Sequence, residues 1–133
     1  MNAPPDEAAE WLRYAAEDLC TAQRMIEVKG IPIRQVCVLC QQSAEKHLKA
    51  VLIRLGQRVP RVHGLVELRA LSGVELAGDL TDGVLEDVTR WSVAGRYPVD
   101  WPEPVREDVE LALHVAERVA YAVQVWFTEQ ESA

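Results

Sequence analysis

The chain has 133 residues, of which 49% are hydrophobic and 26% are charged, a composition typical of a folded globular domain rather than of a disordered chain. It contains no apolar run of about 18 residues that could span a bilayer, and its acidic, proline-containing N-terminus does not match a secretory signal peptide. We therefore expect a cytoplasmic protein with a single domain over residues 1–133, with short flexible ends at about 1–7 and 129–133.

The net charge of −7 disfavours nucleic acid on average, but the charges are unevenly distributed. Between Lys46 and Val66 there are five basic residues and no acid, whereas the rest of the chain has 9 basic and 21 acidic residues. We call these five residues the basic strip: Lys46, Lys49, Arg54, Arg58 and Arg61. Such a strip is compatible with an anion site, and equally with a surface that meets an acidic partner or a second subunit.

Two long helices are predicted in the first half of the chain. From Ala8 to about Val28, apolar residues recur at spacings of three and four, which places them on one helix face. From about Pro32 to Leu55 the same spacing continues over six turns, and a second apolar line flanks it. A helix with two apolar lines is expected to be central and packed on more than one side.

Three further helices are predicted: a short one over Gly64 to Leu71, one from Leu76 to about Val93, and a long one from about Pro104 to Thr128. Strand-like alternation is absent from the sequence. The pattern predicts an all-α, up-down antiparallel bundle of four long helices and one short helix. Because two long helices offer more apolar surface than a small bundle buries, we also expect a homodimer.

The spacing Cys37-x-x-Cys40 could suggest zinc, but zinc needs four ligands and the sequence offers only one such pair. Ser43 and His47 could share a helix face as a nucleophile and a base, yet both belong to the apolar stripe of the second helix. We interpret all four residues as core packing and predict no metal and no cofactor.

A polar stripe on the second helix contains Gln42, Glu45, Lys46 and Lys49, at relative positions i, i+3, i+4 and i+7. The favoured interpretation is a solvated face with a Glu45–Lys49 ion pair worth a few tenths of a kcal/mol. The alternative is a ligand-binding groove that presents two ammonium groups to a phosphate.

The loop after the second helix concentrates Arg58, Arg61 and His63 within six positions. Arginine binds phosphate as a fork, and histidine can transfer protons near neutral pH. These are the roles that metal-free RNA cleavage requires. The alternative is that both arginines are solvated and that His63 caps the short helix beginning at Gly64.

The segment Arg96-Tyr97-Pro98 adds a cation, an aromatic ring and a rigid turn in the last loop. Tyr97 could stack on a nucleic-acid base, or it could seal the end of the bundle. The sequence leaves both interpretations open.

Four segments, taken in order, resemble the HEPN family (higher eukaryotes and prokaryotes nucleotide-binding domain): "WLRYAAEDLCTA" from Trp11, "VLCQQSAEKHLKA" from Val38, "RVHGLVEL" from Arg61 and "RYP" from Arg96. The resemblance spans residues 9–127. It implies a bundle of four to five helices, usually dimeric, and in bacteria often encoded beside a minimal nucleotidyltransferase. Family members include metal-independent RNases, toxins and catalytically silent binding modules.

The sequence departs from the family RNases in one motif. Those enzymes resemble one another in an Arg-x4-6-His motif near the start of a late helix, and no histidine follows Arg96 at that spacing. Arg58 and His63 fit Arg-x4-His, but they lie in an earlier loop. What the resemblance carries over is a polar cluster of Gln42, Glu45, Lys46, Arg61, His63, Arg96 and Tyr97.

The leading functional expectation is a binding module that pairs with a nucleotidyltransferase in a toxin–antitoxin-like system, or binds a nucleotide or RNA phosphate at the basic strip. A second hypothesis is a metal-independent endoribonuclease toxin with His63, Arg58 and Arg96 as catalytic residues. A third is a structural dimer without catalysis.

Overall fold

The computed structural model describes residues 6–94 and 103–132. Within these two ranges the backbone forms helices and no strand, which confirms the predicted all-α class. None of these helices is both long enough and apolar enough to cross a membrane. The helices are α1 (Glu7–Met25), α2 (Ile33–Arg54), α3 (Leu65–Ser72), α4 (Asp82–Thr89), α5 (Trp91–Ala94) and α6 (Arg106–Ser132).

Helix α1 packs along α2 through small residues. The side chain of Asp6 begins the helix by accepting a 3.1 Å hydrogen bond from the Ala9 amide. Ala8, Ala15 and Ala22 follow at intervals of seven residues, and all three are buried. A stripe of alanines lets the two helix backbones approach closely, because it places no bulky side chain between them.

Helix α2 is the centre of the bundle and contacts α1, α3, α4, α5 and α6. Twelve of its 22 residues are buried, in agreement with the two apolar lines in the sequence. The helix ends before Gly56, whose φ of +77° lies in the left-handed region that glycine adopts without steric cost. Gly56 thereby turns the chain into the loop that contains Arg58, Arg61 and His63.

Helix α6 packs along α2 over much of its length and contacts α1 less extensively. The buried apolar side chains form two adjoining clusters on the faces of α2. One cluster includes Leu48 and Leu52 of α2 with Val119 of α6. The other includes Val36 of α2 with Val109 of α6. The core therefore runs the length of the central helix.

The predicted fourth helix is shorter than the sequence pattern suggests. It begins at Asp82, because Thr81 caps it by accepting a 3.3 Å hydrogen bond from the Val84 amide. Val74 and Leu80 precede this cap and are buried without being helical. The place of Leu80 in the predicted apolar spacing thus reflects burial of a loop residue against the core rather than a turn of helix.

Candidate functional site

The carboxylate of Glu45 on α2 accepts hydrogen bonds from three side chains. Gln41 Nε2 donates to Glu45 Oε1 at 3.0 Å, and Lys49 Nζ donates to Oε2 at 2.9 Å. His63 Nδ1, from the loop before α3, lies 3.1 Å from Oε1. We call these four residues the Glu45 cluster. It connects the central helix to the arginine-containing loop.

The Glu45 cluster reaches from a buried lysine to an exposed histidine, and its carboxylate is ionised. The side chains of Lys49 and Glu45 are 6% and 13% exposed, whereas that of His63 is 53% exposed. Burial alone raises the pKa of Glu45, but the hydrogen bonds from Gln41, Lys49 and His63 outweigh it, so the pKa is lowered from its ordinary value. Glu45 therefore stays ionised at neutral pH and accepts hydrogen bonds only.

These contacts assign the tautomer of His63. Because Glu45 can only accept, His63 Nδ1 carries the proton, and Nε2 is left for another partner. Gln41 Nε2 also donates to the His63 carbonyl at 3.2 Å, so both the ring and the backbone of His63 are held. An oriented, half-exposed imidazole of this kind can transfer a proton or, when protonated, bind an anion.

The alternative interpretation of His63 as the cap of the short helix is wrong. Helix α3 begins after Gly64 and has no capping hydrogen bond from a side chain at that position. Its Leu65 amide instead donates to Thr89 Oγ1 of α4 at 3.1 Å. The imidazole of His63 therefore does not cap α3.

The two lysines of the basic strip are both neutralised by carboxylates. Lys46 Nζ lies 2.6 Å from Asp18 Oδ2 of α1, away from the Glu45 cluster, and Lys49 is bound to Glu45. Arg58 and Arg61 are exposed and form no ion pair with any of residues 6–94 and 103–132. The exposed side chains of the basic strip that have no ion pair within the described residues are therefore Arg54, Arg58 and Arg61, and the last two share the loop with His63.

Gln41 is a member of the cluster that sequence reasoning missed. The predicted residue was its neighbour Gln42, which is half-buried and makes no side-chain hydrogen bond within the described part of the chain. Gln41 is fully buried, and its Oε1 has no hydrogen-bond partner there. Its position four residues before Glu45 was the one signal that could have identified it.

The structure brings three of the predicted site residues together, namely Glu45, Lys49 and His63. It directs Lys46 towards α1 instead. Arg96 and Tyr97 lie outside the described residues.

Cys37 and Cys40 are buried in the core around α2. Burial raises the pKa of each thiol to about 12, so both stay protonated at neutral pH. Among residues 6–94 and 103–132, no group of three His, Cys, Asp or Glu side chains could hold a metal ion. Both cysteines act as small apolar packing residues.

The protein is thus an all-α bundle. Glu45 on its central helix orients His63, which lies in the loop that also contains Arg58 and Arg61. The family model described as the HEPN domain matches residues 8–126, so the chain belongs to the HEPN family.

Two solved structures are similar to this chain. One is TT1696 from Thermus thermophilus, with 26% identity and a TM-score of 0.75, over 90% of this chain and 97% of the other. The second is ST0689, an archaeal HEPN homologue, with 22% identity and a TM-score of 0.67, over 90% of this chain and 96% of the other. The second likeness bears on the fold alone. No curated protein matches the chain.

Proposed function

We propose that this HEPN protein is a binding module that takes a nucleotide or RNA phosphate at His63, Arg58 and Arg61. The observation that carries the proposal is the contact between the buried Glu45 carboxylate and His63 Nδ1, which orients the imidazole at the base of the arginine-containing loop. Guanidinium groups supply forked donors for phosphate oxygens, and an oriented imidazole adds a third donor when it is protonated.

The nearby carboxylate does not oppose anion binding at this site. Glu45 is mostly excluded from solvent, and its negative charge is balanced by Lys49 at 2.9 Å. The pair therefore contributes little net field. The loop that contains His63 adds two exposed cations, Arg58 and Arg61, against one exposed carboxylate, that of Glu67 near Gly64. This local balance supports an anionic ligand despite the net charge of −7.

We further propose that the module forms a homodimer and works with a minimal nucleotidyltransferase in a toxin–antitoxin-like system. The support is membership of the HEPN family, in which the resemblance described above implies both partners. Light scattering of the purified protein measures its oligomeric state. Co-purification with a nucleotidyltransferase encoded beside it tests the partner, and a monomer that retains no such enzyme would contradict this part of the proposal.

RNA binding is tested by fluorescence anisotropy of a labelled single-stranded RNA over a range of salt concentrations. We expect the double variant Arg58→Gln/Arg61→Gln to lose about tenfold in affinity at low salt. The slope of log affinity against log salt should fall by about 1.4, since each lost phosphate contact on a single strand removes about 0.7.

The matched control is Arg24→Gln/Arg118→Gln, which removes the same charge from two exposed arginines on α1 and α6. We expect it to bind RNA as the wild type does. Equal losses in the two double variants would mean that RNA responds only to the overall charge, and would contradict a site at the loop.

A metal-independent endoribonuclease is the second candidate, favoured by the availability of His63 Nε2 for proton transfer. RNA is incubated with the protein in EDTA, and His63→Ala is compared with His114→Ala. His114 is the appropriate control because its Nε2 also contacts a carboxylate, that of Asp79 at 2.6 Å. Cleavage lost only in His63→Ala would favour the enzyme, whereas intact RNA in all samples would contradict it.

A further inference from the structure

A groove of about 670 Å³ lies between α1 and α6, where these two helices contact each other only sparsely. Its walls include Leu12, Ala16 and Leu19 from α1 and Phe127 from α6. His47 from α2 also lines it. The volume lies within the range of small-molecule sites, about 300–1,000 Å³. None of the proposed phosphate-binding residues lines this groove.

His47 supplies a hydrogen-bond acceptor to the groove. The residue is 6% exposed, and its Nδ1 lies 2.9 Å from the Ser43 carbonyl, to which it donates. Nε2 is then the unprotonated nitrogen, and it has no hydrogen-bond partner within residues 6–94 and 103–132. Burial lowers the pKa of His47, so the ring stays neutral near pH 7 and Nε2 remains an acceptor. Because His47 lines the groove, its Nε2 can accept a hydrogen bond from a donor that enters there.

The ionisable residues that line the groove give it a negative character. Among the described residues that line it, Glu117 and Glu131 are the carboxylates, and none is a lysine or an arginine. Gln23 Nε2 donates to Glu117 Oε2 at 3.2 Å, but an amide does not neutralise the charge. The groove therefore combines apolar walls, one histidine acceptor and two negative charges.

We propose that this groove binds a small amphipathic organic cation with an apolar or aromatic body and a protonated amine. The amine donates to His47 Nε2, and the negative field of Glu117 and Glu131, which lie 14 residues apart on α6, favours its charge. The body packs against Leu12, Leu19 and Phe127. This site is separate from the proposed phosphate site and stands without it.

The test is isothermal titration calorimetry with 2-(1-naphthyl)ethylamine, compared with 1-naphthylacetate, which has a similar body and the opposite charge. We expect saturable binding of the amine to one site per chain and at least tenfold weaker binding of the carboxylate. Absence of saturable amine binding, or equal binding of both probes, would overturn the proposal.

Two tryptophan substitutions locate the binding. Ala16→Trp fills the groove from an exposed position of α1 and should weaken amine binding at least tenfold. Ala9→Trp places the same side chain at another exposed position of α1 that does not line the groove, and it should have no effect. If the two variants bound the amine with equal affinity, the amine would bind outside the groove, and the proposed site would be overturned.

The polar contacts are tested with near-isosteric substitutions. His47→Leu removes the acceptor and Glu117→Gln removes one charge, and each should weaken amine binding about tenfold. Glu67→Gln, at an exposed position of α3, is the charge-matched control and should bind the amine normally. Circular dichroism verifies that each variant is folded. Unchanged affinity in a folded His47→Leu protein would overturn the role of the imidazole.

Discussion

Lys49 Nζ lies 2.9 Å from Glu45 Oε2, one turn apart on the central helix, with both side chains largely excluded from solvent. The spacing alone suggested a surface pair worth a few tenths of a kcal/mol. Burial changes this estimate, because removal of one partner leaves the other as an uncompensated charge in a medium of low polarity. The pair therefore holds the Glu45 cluster in place rather than serving as free positive charge for a ligand.

Glu45→Ala should lower the free energy of unfolding by about 3 kcal/mol, the cost of leaving a buried lysine without its partner. Glu45→Ala/Lys49→Met should lose less than the sum of the two single variants. Urea unfolding of all four proteins measures the coupling, which we expect to exceed about 1 kcal/mol. Additive losses would contradict a coupled pair.

The exposed pair between Arg106 and Glu110 provides a matched control, because it has the same four-residue spacing. Both of its side chains are more than half exposed, so solvent screens the attraction. Glu110→Ala should change the free energy of unfolding by less than about 0.5 kcal/mol.

The helical architecture could be predicted from the sequence because apolar spacing reports directly which face of a helix is buried. The second helix, predicted from Pro32 to Leu55, is observed over Ile33–Arg54. The region from Leu76 to Thr81 could not be assigned correctly. Leu80 is buried and Leu76 half-buried in an irregular segment, and periodicity does not distinguish that case from a helix.

The Glu45 cluster was only partly predictable, because the spacing of polar residues does not reveal their burial. Lys46 and Lys49 follow one another on the same stripe, yet the first reaches Asp18 on α1 and the second stays with Glu45. The contact between Glu45 and His63 joins residues 18 positions apart through the turn at Gly56. Such a contact depends on tertiary packing, which no local pattern encodes.

The stability that Glu45 contributes to the folded protein should be lost in acid. Its pKa is lowered in the folded state relative to the ordinary value of 4.5, so the unfolded chain takes up a proton first as the pH falls. The stabilisation that ionised Glu45 gives the folded state is complete above pH 4.5. It is lost as the pH falls through the folded-state pKa of Glu45. Urea unfolding at several pH values should show a difference between wild type and Glu45→Gln that narrows in acid. A difference independent of pH would contradict this role of the carboxylate.

His47 should contribute a second pH dependence, at higher pH. Burial lowers its pKa in the folded state below the ordinary value of 6.5, although the Ser43 carbonyl and Asp18 oppose the effect. Below pH 6.5, His47 is therefore protonated in the unfolded chain before it is protonated in the folded protein. Stability then falls with decreasing pH until the folded-state pKa of His47 is reached. Between about pH 7.5 and about pH 5.5, wild type should lose more stability than His47→Gln. Parallel profiles in urea unfolding would contradict the shift.

Ala15 should be among the least tolerant positions of α1, because its backbone is in direct contact with α2. Ser43 Oγ donates to the Ala15 carbonyl at 2.8 Å, and the Ala15 side chain is fully buried. Ala15→Leu forces a larger side chain between two close backbones and should cost about 1–3 kcal/mol. Ala16→Leu, one residue later and exposed, should change stability by less than about 0.5 kcal/mol. Urea unfolding compares the two, and equal losses would mean that the α1–α2 interface is not tightly packed at Ala15.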